Sequence, residues 1–240
     1  AYEISLGLVG SEMCIRVSSW QEPQPLPRVG LYHPQCSLAT LAAWQAQWRP
    51  DAPVVALLFY RNHVQSANTV FVDTFCQHLF GQGLNPLPIA VASLKEPACL
   101  DQVQAWLDDT DAALIINTTG FALSNPEAPQ ARVFRRDIPV LQAICSLDNH
   151  AQWQASTQGL GSRDLAMHVV LPELDGRLIG TAISFKGLAW RSERSQSDVV
   201  CYQAHEPGMA YVAELARNWC KLAIKSNDQK RCLLYTSPSP

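Results

Sequence analysis

Pro53–Tyr60 reads PVVALLFY, a proline followed by an unbroken run of apolar and aromatic residues. A run this short, without polar alternation, predicts a strand covered on both faces rather than one with a solvated side. The grammar then repeats. Ala67–Gly81 sets Val70, Phe71, Thr74, Phe75, His78 and Leu79 at helical spacing and stops at a glycine. Leu87–Ala92 reads as the next strand, Ala98–Asp108 as the next helix, Ala112–Asn117 as another strand, and Pro139–Ile144 as a fourth. Strand and helix alternating at this interval predict βαβ crossovers, hence an α/β fold with an open, mostly parallel sheet.

On the amino-terminal side the chain is rich in proline, glycine and tryptophan (WQEPQPLPRVGLYHP, Trp20–Pro34), with a short helix expected over Ser37–Trp48, capped by Ser37 and packing through Leu38, Leu41, Trp44 and Trp48. On the other side the pattern changes after Asp148. Ala151–Gln158 reads as a short helix ended by Gly159. Met167–Gly187, MHVVLPELDGRLIGTAISFKG, reads as an antiparallel hairpin over 168–186, with Val169–Leu171 and Leu178–Phe185 as arms and Asp175-Gly176 as the two-residue structural turn. Its charges, Glu173, Asp175, Arg177 and Lys186, exceed what a buried hairpin needs. RSERSQS (Arg191–Ser197) reads as a solvated loop, Asp198–Gln203 as a strand, and Pro207–Lys221 as a helix burying Met209, Val212, Leu215, Ala216 and Trp219.

The sheet is therefore expected to be flavodoxin-like, with an antiparallel hairpin extension. Residues 17–52 form a lead-in segment, 53–148 the flavodoxin-like domain, and 149–231 the start of a second, truncated domain. The ends, 1–16 and 232–240, fit neither pattern and are expected to be non-native tails. A hydrophobic content of 48% with 16% charge supports a packed core. The net charge of −3 offers no basic field for nucleic acid or anionic membrane, and no apolar run reaches bilayer-spanning length. A cytoplasmic setting with neither partner is expected. The eight cysteines are scattered without a C-x-x-C pair, so reduced thiols are expected and no metal site is identifiable.

GLGSRDLAMHVVLPELDGRLIGTAISFKG (Gly159–Gly187) resembles the corresponding run of the CobN/magnesium chelatase H-subunit family. So do VVALLFYRNHVQSANT (Val54–Thr69), GLNPLPIAVASLKEP (Gly83–Pro97), LIINTTGFALS (Leu114–Ser124) and IPVLQAI (Ile138–Ile144), in the family's order. The AISFKG ending is closer to the cobalt branch. That resemblance implies an internal fragment, inactive alone, of the large subunit of aerobic cobaltochelatase. Such an enzyme inserts Co²⁺ into the corrinoid tetrapyrrole hydrogenobyrinic acid a,c-diamide during cobalamin biosynthesis, with ATP and Mg²⁺ on partner AAA+ ATPase and adaptor subunits. The alternatives are a magnesium chelatase H subunit acting on protoporphyrin IX and a non-catalytic flavodoxin-like docking module.

Candidate site residues follow from strand ends. In open α/β sheets ligands lie outside the carboxyl ends of the strands, which places Arg61 and His63, in YRNHVQSANT, where substrate carboxylates are expected. Lys186, at the far end of the presumed hairpin, is a third substrate-binding candidate. Glu173 is the candidate catalytic carboxylate, since metal insertion must remove two pyrrolic protons. NTTGFALS (Asn117–Ser124) matches no nucleotide fingerprint, although its backbone N–H groups are candidates to face an anion.

Overall fold

A computed structural model describes residues 25–124 and 133–231. The tails at 1–16 and 232–240 lie outside these residues. One eight-stranded sheet organises the rest, in the order β2-β1-β4-β3-β5-β6-β7-β8. Its strands are β1 (Val29–His33), β2 (Cys36–Ala39), β3 (Val54–Tyr60), β4 (Asn85–Val91), β5 (Leu114–Asn117), β6 (Val140–Ser146), β7 (Leu178–Ser192) and β8 (Ser197–Ala204). Pairing is parallel from β4 through β7, while β1, β2 and β8 add antiparallel edges. The parallel part, β4-β3-β5-β6-β7, has the flavodoxin-like order, reversing direction between β3 and β5.

β3 is buried along nearly its whole length because helices cover both faces. On one face α3 (Val70–Gly81) and the long α8 (Glu206–Ile224) bury Phe71, Phe75, Leu79, Met209, Val212 and Ala216 against Val55, Leu57 and Phe59. On the other, α4 (Pro97–Asp109) places Val103 and Leu107 over Ala56, Leu58 and Ile115. Gly208 lets α8 start against the sheet: a Cβ there would run into the carbonyl oxygen of Ala182.

β4 carries two prolines, Pro86 and Pro88, in a position that looks central. The register explains them. β3 receives the N–H of Asn85 through Pro53, so residues 86 and 88 turn their missing donors the other way, and β1 reaches only Ile89–Val91 on that side. No ladder bond is lost.

Two local expectations give way. The helix expected from Ser37 begins later: residues 36–39 form β2, and α1 (Leu41–Gln45) is capped by Thr40, whose hydroxyl accepts from the Ala43 N–H at 3.3 Å. The hairpin expected over 168–186 is not there. Residues 162–173 are helical, as α6 (Ser162–Leu165), a π-helical turn (Ala166–Val170) and α7 (Leu171–Glu173). They follow the short α5 (His150–Ala155). Because β6 and β7 are parallel, the chain must travel back along the sheet between them, and this helical run makes the return. The antiparallel hairpin is β7–β8, turning at 193–196 within the stretch read as a solvated loop. The remaining helix of the loop after β3, α2 (Asn62–Gln65), is a single turn.

Candidate functional site

Three segments distant in sequence meet at the carboxyl edge of the sheet: the loop after β3, the end of β7's paired region, and β8. Lys186 follows Phe185, the partner of Ser146 at the end of β6, and its backbone N–H donates to the Asp148 carbonyl at 3.0 Å. Its ammonium lies 5.5 Å from the ring centroid of Tyr202 on β8. Tyr202 in turn stands edge-on to His63, with centroids 5.2 Å apart and planes at 77°. The Tyr202 backbone N–H donates to Asn68 Oδ1 at 3.0 Å across 134 residues of sequence, clasping β8 to the loop after β3.

His63 is only 7% exposed, ringed by Phe71 at 5.0 Å and Phe59 at 6.4 Å as well as Tyr202. Burial, assisted by the nearby charge of Lys186, pulls its pKa down to about 4. Its imidazole is therefore neutral at physiological pH and serves as an aromatic support under Tyr202. Burial also pushes the Tyr202 phenol above its ordinary range. Among the described residues Lys186 has no carboxylate partner, only the Tyr202 ring and the field it exerts on His63.

Arg61 and Glu173 lie elsewhere. The Arg61 guanidinium turns to the lead-in segment, donating through Nη1 to the carbonyls of Leu26 and Pro27 at 2.9 and 3.1 Å. Glu173 is exposed at the end of the helical run, ahead of Leu178, which pairs with Leu141 near the amino end of β6. From Leu178 to Lys186 the strand climbs about 26 Å at ~3.3 Å per residue. The structure thus brings His63 and Lys186 together and leaves Glu173 at the opposite edge.

Asp175 and Gly176 do form a turn, with Gly176 at φ 68°, but the turn leaves a helix instead of joining two strands. The side chain of Asp175 is 2% exposed and ion-pairs with Arg177, itself 3% exposed, at 2.6 Å. Asp175 accepts from the N–H groups of Leu123 and Ser124 at 2.8 Å each. Burial alone would raise its pKa; those N–H groups and the Arg177 charge outweigh burial and hold the carboxyl below its ordinary range. Arg177 also donates to Gln142 Oε1 at 2.8 Å and to the Phe121 carbonyl at 3.1 Å. Gln142 and Asn117 complete the network at 2.8 Å. This clamp fixes the loop after β5 and engages several of its amides: Thr118 N–H on Leu58, Phe121 N–H on Met167, Leu123 and Ser124 on Asp175.

A cleft of about 670 Å³ opens at the amino edge beside Phe134, Ile138, Leu174, Asp175 and Trp219. Two of the charged residues that line it, Arg136 and Asp175, are paired with Asp111 and Arg177. A cleft of about 220 Å³ lies between Tyr32, His33, Val64 and Thr69; Lys186 does not line it but stands at the carboxyl edge over Tyr202. An anionic ligand is held best by a cation with no carboxylate already on it. No group of three or more His, Cys, Asp or Glu placed to hold a metal occurs among the described residues. Nor is any described helix long and apolar enough to cross a membrane.

Comparison with known proteins decides the family. The family model described as CobN/Magnesium Chelatase matches residues 5–240. The chain belongs to the CobN/magnesium chelatase family. The match takes in both terminal stretches. A protein of Pseudomonas aeruginosa named aerobic cobaltochelatase subunit CobN is 63% identical over 97% of this chain, and one of a Sinorhizobium species with the same name is 33% identical over 92%. The solved catalytic subunit of cobaltochelatase from Mycobacterium tuberculosis superposes with a TM-score of 0.69 at 25% identity over 94% of the chain. The chain spans only 19%, 18% and 18% of these family members.

Tyr202, Asp175 as a clamp, and Arg177 escaped the sequence reading. Arg177 was legible only as excess charge. Tyr202 carried no local signal, because its partners lie on β7 and in the loop after β3.

Proposed function

We propose that this chain forms part of the substrate-holding surface of a cobaltochelatase large subunit. The full enzyme would insert Co²⁺ into hydrogenobyrinic acid a,c-diamide, in the cytoplasm, with ATP and Mg²⁺ acting on AAA+ ATPase and adaptor partners. The observation that carries this reading is Lys186, held over Tyr202 at the ligand-bearing edge of the sheet with no carboxylate partner among the described residues. The identity to proteins named as cobaltochelatase subunits favours the corrinoid over a porphyrin.

In this reading Lys186 binds a peripheral carboxylate of the ring, and Tyr202 keeps the lysine stem extended through its aromatic face. His63 stays neutral and apolar, so the site gains one positive charge and not two. Metal handling and pyrrole deprotonation are assigned to parts of the family's longer polypeptide. The test is a tryptophan-quenching titration of the chain with hydrogenobyrinic acid a,c-diamide and, separately, protoporphyrin IX. Saturable quenching by the corrinoid, weakened about tenfold in Lys186→Ala and largely retained in Lys186→Arg, supports the reading, one ionic hydrogen bond contributing roughly that much. Equal affinities for wild type and Lys186→Ala would overturn it.

A further inference from the structure

Phe121 has a φ of 68°. That is the left-handed region, which a bulky aromatic side chain rarely adopts. The other non-glycine residues with positive φ among those described, Asp51, Ala67, Asp111 and Gln196, are small or polar. Strained backbone persists only where its surroundings over-determine it, and it clusters at functional positions.

The surroundings of Phe121 do over-determine it. Its N–H donates to the Met167 carbonyl at 3.1 Å, and its own carbonyl accepts from Arg177 Nη2 at 3.1 Å. The carbonyl of Gly120 accepts from the Tyr60 hydroxyl at 3.4 Å, tying the loop to the tip of β3. Gly120 itself lies so close to the helical run that a Cβ would stand 3.3 Å from the Met167 carbonyl oxygen. Two residues on, the buried Asp175 fixes Leu123 and Ser124.

None of this buries the ring, which remains 46% exposed. Its loop follows β5 and is tied to the tip of β3, so it flanks the point where the strand order reverses and where open α/β sheets bind ligands. The exposed group at residue 121 is an aromatic face.

We propose that Phe121 is an apolar platform for the conjugated face of a tetrapyrrole macrocycle, and that the Asp175–Arg177 pair is its positioning device. The inference rests on the tetrapyrrole reading above and deepens it: the platform takes the apolar face of the ring. Planar π-systems gain from offset stacking on such a ring in addition to the area they cover.

The test combines Phe121→Gly with Phe121→Trp in the same chain, titrated with hydrogenobyrinic acid a,c-diamide. Glycine tolerates the positive φ, so the thermal midpoint of Phe121→Gly is expected to hold or rise while affinity falls about fivefold to tenfold, the share of one stacked ring. Phe121→Trp keeps an aromatic face and is expected to retain binding, with deeper quenching because the new fluorophore lies against the ring. If Phe121→Gly binds as tightly as the unsubstituted chain, the platform is overturned and the Lys186 reading stands. A lower midpoint for Phe121→Gly with unchanged affinity makes the ring a packing element and also overturns it. If the unsubstituted chain shows no saturable binding, the tetrapyrrole reading fails first and the platform fails with it.

Discussion

Two polar clusters, one inside the sheet's helical cover and one at its carboxyl edge, use their charges in opposite ways. Around Arg177 four hydrogen bonds engage both terminal nitrogens: Asp175, Gln142 and the carbonyls of Thr119 and Phe121 accept from the guanidinium. Around Lys186, among the described residues, an aromatic ring stands where a carboxylate partner would. A network of the first kind specifies structure, because its members are committed to one another. An open one keeps a cation in reserve. The difference separates residues that shape the site from residues that occupy it, and each can be tested by what its removal costs.

The largest effect is expected at the clamp. Arg177→Ala leaves Asp175 buried and without its counter-charge, a change that costs about 3–5 kcal/mol in comparable buried pairs. Urea unfolding should show the midpoint falling accordingly, with the loop after β5 becoming protease-sensitive. The exposed pair Arg135–Asp101, by contrast, has partners 64% and 61% exposed, and its removal should move stability by less than about 1 kcal/mol. Equal costs at the two pairs would mean that the clamp is not the network described here.

Acid should act on the other cluster. Burial holds the folded-state pKa of His63 down to about 4, against an ordinary value of 6.5. Above pH 6.5 both folded and unfolded states hold it neutral, and stability is at its full value. As pH falls toward 4 the unfolded chain binds the proton first, so stability declines by up to roughly 3 kcal/mol and then levels. His168, whose pKa burial also lowers against the opposing charge of Asp164, contributes with the same sign. In His63→Phe, which keeps a ring among Phe59, Phe71 and Tyr202, the decline should lose the His63 share. It should keep those of His168, of His205, whose pKa burial and the His150 charge also lower, and of Asp175, whose carboxyl is held low. A pH profile unchanged by His63→Phe would place the titration elsewhere.

These two clusters also mark how far the sequence could be read. β3, β4, β5 and β6 were legible because strands covered on both faces are written as continuous apolar runs, and α3, α4 and α8 because an amphipathic face repeats every three to four residues. Val169 and Val170 misled for a physical reason. Their β-branched side chains favour strand, yet the parallel register of β6 and β7 demands a return helix, and tertiary context overrides local propensity. Asp175-Gly176 was read as the two-residue turn of a hairpin, but glycine closes a helix as readily as it joins two strands, and here only Gly176 takes a positive φ. His63 was singled out from its place at a strand end and Lys186 as the far end of the expected hairpin. Their meeting through Tyr202 was not, because cross-strand partners 134 residues from the loop they touch leave no trace in local pattern.

A smaller effect is expected at Lys186. Its removal costs at most about 1 kcal/mol of stability, the worth of a partly exposed cation–π contact, while ligand affinity falls much further. Stability and binding should therefore separate at Lys186 and move together at Arg177, whose loss disorders the loop that carries Phe121. Parallel melts and titrations of the two variants measure that split directly.

The smallest effect is expected at Glu173. It is exposed, and its carbonyl oxygen, not its carboxylate, does the structural work by accepting from the Gly176 N–H at 2.9 Å. Glu173→Gln leaves that bond intact and should shift stability by no more than about 0.5 kcal/mol, as surface substitutions usually do. Because β7 separates it from Lys186 by most of the sheet's height, corrinoid affinity should also stay within about twofold, well under the 1.4 kcal/mol that a tenfold change requires. A large loss of binding in Glu173→Gln would be the most instructive failure. It would move the ligand to the amino-edge cleft beside Leu174 and Asp175, and reverse which of the two clusters faces the substrate.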